Sequence, residues 1–207
     1  MLLYKPYDRT RAVEYARRWA RSRNPLFINF TGYGGDCTSF VSQSILAGSC
    51  EMNFTPTFGW YYVSPTDRAP AWSGVEAFYD FMTGAPAFAM ENGGTGPYGR
   101  EVGRGEVMPG DVVQLFDREG DFYHTLIVTE LRGNEILIAA HSDDALDRRL
   151  SSYTNAAGQR FIHIEGVRVQ APDDTCYFDL LEGIALSGQG VRPPADRAGE
   201  NFGTVEM

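Results

Sequence analysis

Cys37 follows Thr31-Gly32-Tyr33-Gly34-Gly35-Asp36 and opens an apolar, helix-period stretch that runs to Gly48. A thiol at a helix start meets the positive end of the helix dipole and amide donors without intrahelical partners, and both favour thiolate. The glycines ahead of it permit a tight turn and leave room for a substrate beside the sulfur. Such a thiol needs a base. His124 stands just ahead of the apolar run Leu126-Ile127-Val128, and an imidazole at a strand end can reach a helix start. Each residue alone has a plainer explanation, as a small buried cysteine or a satisfied structural histidine. Together they form a nucleophile and its general base.

A third member follows from hairpin parity. If Gly133-Asn134 is a two-residue turn, Arg132 pairs with Glu135, His124 lies opposite Asp143, and Leu126 lies opposite His141. Opposite residues share a sheet face and the side-chain period is two, so all four project together. Either His141, on the diagonal, or Asp143, directly across, would hold the imidazole in the required tautomer. A one-residue slip would flip the register and remove both.

The elements that must position these residues are legible in outline. A first helix is expected over about 8–21, with Ala12, Val13, Tyr15, Ala16, Trp19 and Ala20 inward and the arginines mostly outward. That basic face reads as solvated rather than as an anion site. Asp36 fits the N-cap of the second helix, with a further role as a near-site charge, and Gly48 fits its stop. A third helix is expected at about 74–83, with Ser73 and Glu76 as a capping box. Residues 84–105 read as a long loop. A strand meander follows over 111–116, 122–130, 135–140 and 161–169. Helices first and antiparallel strands after argue for an α+β fold. One domain over 1–170 is expected, then a C-terminal extension over 171–207 that is flexible from about 186.

Composition narrows the function classes. The 207 residues carry a net charge of −9, which argues against sequence-independent nucleic-acid binding and disfavours an acidic substrate. No apolar run approaches the ~20 residues of a membrane span. Three cysteines, Cys37, Cys50 and Cys176, permit at most one bridge and leave a free thiol. No Cys-x-x-Cys or His-Glu-x-x-His spacing supports a metal site, and no glycine-rich phosphate loop or dinucleotide fingerprint supports a cofactor. The N-terminus lacks the roughly 7–15-residue apolar core of a signal peptide, so the expectation is cytoplasmic as written and secreted if the N-terminus was trimmed.

Several blocks carry a resemblance. Tyr7 to Ala16, Asn24-Pro25, Asp36-Cys37-Thr38-Ser39-Phe40-Val41-Ser42-Gln43, Trp60-Tyr61-Tyr62, Trp72, Pro109-Gly110-Asp111-Val112, His124-Thr125 and His141-Ser142 occur in that order. Over about residues 4–165 the chain resembles the bacterial putative amidase domain family, which is similar to papain-like cysteine hydrolases of the cell-wall peptidase type. Ser39 departs from the asparagine usual in that motif. The resemblance implies a papain-like fold, N-terminal helices on an antiparallel sheet, with Cys37 as nucleophile and His124 as base. It implies an amidase or peptidase acting on peptide amides, with peptidoglycan peptides as the substrate class.

In that scheme Cys37 attacks a carbonyl while His124 protonates the leaving amine. The Cys37 amide and a second donor from the 31–36 loop, beside Gly35 and Asp36, would bind the oxyanion. Trp60, Tyr61 and Trp72 are candidates for a substrate cleft, with core packing the equal alternative. The competing function class is a catalytically inactive, hydrolase-shaped binding module.

Overall fold

A computed structural model of the chain describes residues 2–85, 94–172 and 174–184. Its first strand, β1 (Leu3–Lys5), leads into helix α1 (Arg9–Trp19), which Asp8 caps by accepting the Arg11 amide at 3.0 Å. Ala12, Val13, Tyr15, Ala16 and Trp19 are buried as their spacing requires. Arg9 is not on the solvated face. It reaches the fully buried Asp111 at 2.6 Å, beside the turn Pro109-Gly110 that launches β3 (Val112–Phe116).

Helix α2 (Cys37–Ser49) is buried along its whole length. Its polar residues are tied internally: Tyr15 Oη donates to Gln43 at 2.8 Å, Gln43 donates to Ser39, and Ser42 donates to the Trp72 carbonyl. Ser39 is thereby part of the packing behind Cys37. Gly48 does not stop the helix. A Cβ there would lie 2.5 Å from the Tyr7 ring, so its small size serves the crossing of the α1 entry over α2. The stop comes at Cys50, left-handed at φ 44°.

A single-turn helix α3 (Pro70–Ser73) precedes α4 (Val75–Thr83). The expected capping box is not formed. Gly74 occupies the cap without a side-chain bond, and Glu76 instead pairs with Arg160 at 3.1 Å.

The sheet also contains β2 (Gly96–Val102), β4 (Phe122–Arg132), β5 (Glu135–Ala140), β6 (Ala145–Arg149) and β7 (Gly158–Val169). Its order is β1-β7-β3-β4-β5-β6, with β2 also on β7, and every pairing is antiparallel. The α+β expectation is met. The long loop expected over 84–105 is corrected in part: residues 96–102 are a strand. Their partner lies far along the chain, and such pairing leaves no local periodicity.

Both sheet faces are buried. Val112, Ile127, Ala139 and Ile162 pack against the helices, and Val113, Leu115, Leu126, Val128 and Ile138 form a second cluster behind. The unbroken apolar run 126–128 reflects that two-sided burial.

The start of the expected C-terminal extension joins this core. Helix α5 (Cys176–Glu182) buries Cys176, Tyr177 and Leu180, and a Cys50–Cys176 disulfide closes a separation of 126 residues. The flexible segment expected from about 186 lies outside the described residues. Among the described residues, no helix is long and apolar enough to cross a membrane.

Candidate active site

Cys37 is the free cysteine, 6% exposed at the first residue of α2. Asp36 occupies the cap position without using its side chain as a cap. Its carboxylate instead accepts from the Phe30 amide at 3.2 Å and meets Arg23 at 3.2 Å and His141 Nδ1 at 2.7 Å. The opening amides of α2 therefore remain without a side-chain acceptor beside the sulfur.

The turn before Cys37 is latched from the sheet. The Asp36 amide donates to Ser142 Oγ at 2.7 Å, and Ser142 itself is left-handed at φ 73°. Gly35, at φ 104°, presses so near that a Cβ would stand 3.3 Å from the same oxygen. With the Asp36 amide engaged, Gly34 and Gly35 line the same pocket as Cys37, and their amides have no hydrogen-bond partner among the described residues.

His124 and Cys37 line one pocket of about 440 Å³, together with Gly34, Gly35, Tyr123, Ser142, Asp143, Arg148 and Tyr153. His124 is 7% exposed, and its Nε2 is buried without a hydrogen-bond partner. The Tyr153 ring walls it at 5.8 Å between centroids. Burial pushes the imidazole down to about 4, against the charge of Asp143, which favours protonation. Asp143 is held ionised by a two-pronged pair with Arg148, and this hydrogen bonding lowers its pKa.

The hairpin register differs from the simple parity expectation. Arg132 does pair with Glu135, but a bulge between Val128 and Glu130 leaves Thr129 unpaired and brings Ile127 opposite Ala139. One extra residue reverses the faces beyond it. His141 therefore turns to the helix side, where Nδ1 meets Asp36, Nε2 meets the Trp19 carbonyl at 2.9 Å, and the ring stacks on Phe40 at 3.9 Å. His124 stays on the opposite face with Leu126. His141 thus does not line the pocket, whereas Asp143 does.

Trp60, Tyr61 and Trp72 do not line it either. They are buried in the helix-side core, where Trp60 and Trp72 lie 5.1 Å apart. Aromatic mass on a loop gives no sign of which side it faces. Sequence reasoning missed Arg148 and Tyr153, whose place depends on how β6 and the turn after it fold back. Ser142 could have been found as a small polar residue next to a candidate histidine. No group of three or more His, Cys, Asp or Glu side chains suited to a metal ion occurs among the described residues.

A family model described as "Putative amidase domain" matches residues 6–164. The chain belongs to that family. This membership suggests an amide hydrolase and an amide substrate at the family level. The chain is also 30% identical over 167 residues to the uncharacterized protein YhbB of Bacillus subtilis (strain 168). That match covers 76% of this chain and 50% of the relative, so the chain spans about half the length of the curated relative it matches. No solved structure matches it.

Proposed function

We propose that this member of the amidase-domain family is a cysteine-dependent amide hydrolase of papain-like design, with Cys37 as nucleophile and His124 as base. One observation carries the reading: the free thiol at the start of α2 shares a pocket with an imidazole whose Nε2 is buried and unpartnered. A buried polar atom without a partner is uncommon in a folded chain and suits a group that must exchange a proton. His124 takes the thiol proton, and the sulfur bonds to the amide carbon. The Cys37 amide, with Gly34 or Gly35, supports the oxyanion. The imidazolium then gives its proton to the departing amine. Water, deprotonated by His124, cleaves the thioester and restores the thiol.

Asp143 is the better-supported third member, because it borders the pocket and its charge opposes the desolvation of His124. Wall peptides remain the proposed substrate class, by the resemblance of the motif blocks. The Cys50–Cys176 bridge favours an oxidising compartment, where such peptides are met, over the cytoplasm. Wild-type protein and Cys37→Ser, each incubated with peptidoglycan fragments, are compared by mass spectrometry. Amide cleavage products are expected from the wild type alone. Identical fragment patterns would overturn the wall-peptide reading.

A further inference from the structure

We propose that Arg148 receives a carboxylate carried by the substrate close to its scissile amide, and that Asp143 holds that place in the free protein. The inference deepens the cysteine-hydrolase reading and rests on it for the identity of the reacting thiol.

The two members of the Asp143–Arg148 pair are anchored very differently. Arg148, on β6, also donates from Nη2 to the Asp144 carbonyl at 3.1 Å and from Nη1 to Tyr153 Oη at 3.4 Å. Its guanidinium further lies over the Tyr153 ring, 5.3 Å from the centroid. These contacts keep the fork aimed into the pocket without help from Asp143. The Asp143 side chain, by contrast, has Arg148 as its sole hydrogen-bond partner among the described residues, and it is 66% exposed against 32% for Arg148. An exposed carboxylate on an anchored guanidinium is readily exchanged, because such pairs add little to stability. A second carboxylate can make the same two parallel bonds. Cys37 and His124 lie on the same pocket wall system, so the exchanged ligand would sit beside the reacting bond. The exchange also frees the Asp143 charge next to the unpartnered imidazole. A chain of net charge −9 repels acidic ligands in general, which makes this one anchored cation the feature that admits them.

Two small alkylating agents of nearly equal size test the idea without any assumed substrate. Iodoacetate and iodoacetamide both alkylate a thiolate, forming a sulfur–carbon bond and releasing iodide, and only the first carries a carboxylate. Rates at Cys37 are measured by intact mass at low ionic strength and normalised to the same reagents on free glutathione. The normalised rate ratio is expected to favour iodoacetate by about tenfold, the scale of one charge-assisted pair at a partly exposed site. Arg148→Gln should return the ratio to about one, and Asp143→Asn should raise it further by leaving the fork vacant. A wild-type ratio at or below one, or a ratio untouched by both substitutions, overturns the proposal. Fast alkylation by both reagents well below the ordinary thiol pKa of about 8.5, with a ratio of one, keeps the nucleophile and removes the carboxylate site. Ordinary thiol rates with a ratio that Arg148→Gln abolishes keep the carboxylate site and remove the nucleophile.

Discussion

His124 stands on β4 and His141 just past the end of the neighbouring β5, each almost fully enclosed, and their surroundings are opposite. His141 is met on both sides by acceptors. Trp19 offers a carbonyl, and Asp36 offers a carboxyl oxygen on a side chain that also meets Arg23 and the Phe30 amide. Both ring nitrogens are thereby engaged, and the ring is tied to Asp36 beneath the turn that leads into Cys37. The His124 Nε2 is buried without a hydrogen-bond partner, and the residue lines a pocket. A buried polar group with every bond made is held in place, and one without a partner at a pocket wall is open to a ligand. The contrast sets a fully bonded histidine against one with an unbonded nitrogen at a pocket wall, and on the proposed function it would separate positioning from chemistry.

The largest test of that separation is His124→Gln. It should lower amide hydrolysis by roughly 10²–10⁴-fold, the usual span for a positioned base, with little change in the urea midpoint at pH 7. A loss of several kcal/mol in unfolding free energy with activity retained would place His124 with His141. The converse variant, His141→Leu, should cost about 3 kcal/mol in urea unfolding. It leaves the Asp36 carboxylate buried with only Arg23 to balance it. Unchanged stability would dissolve the contrast.

A smaller effect is expected from pH. The His124 imidazole is about 4 in the folded protein against 6.5 in the open chain. Between those values the unfolded chain binds the extra proton, so stability falls as pH drops from 6.5 to 4 and is flat outside that window. The loss is at most about 3 kcal/mol. Comparing wild type with His124→Gln by thermal unfolding at pH 7, 5.5 and 4 isolates it. Equal slopes in the two proteins would mean that water already reaches the ring.

Much of the site's local framework was legible. Asp8 before an amphipathic stretch caps α1, and the glycine-rich turn into an apolar stretch does put Cys37 at a helix start. Strands 112–116, 122–132 and 135–140 follow their apolar runs and turn residues. The failures share a cause. Thr129 has nothing local to mark a bulge, yet that single residue sends His141 to Asp36 rather than to His124. Gly48 reads as a stop because its other use, letting Tyr7 pass, involves a helix from elsewhere in the chain. Likewise, nothing near Cys50 or Cys176 says that they meet across 126 residues.

By itself the sequence determined which groups can do chemistry and on which local elements they stand: a thiol on a helix start and an imidazole at a strand end. Those follow from caps, turns and hydrophobic period, all of which act within a few residues. Only the tertiary structure decided which acid lies beside the imidazole, which histidine is locked away, and that Arg148 closes the pocket. Each of these depends on strand register and on where distant segments pack, and a one-residue shift in either changes which side chains meet.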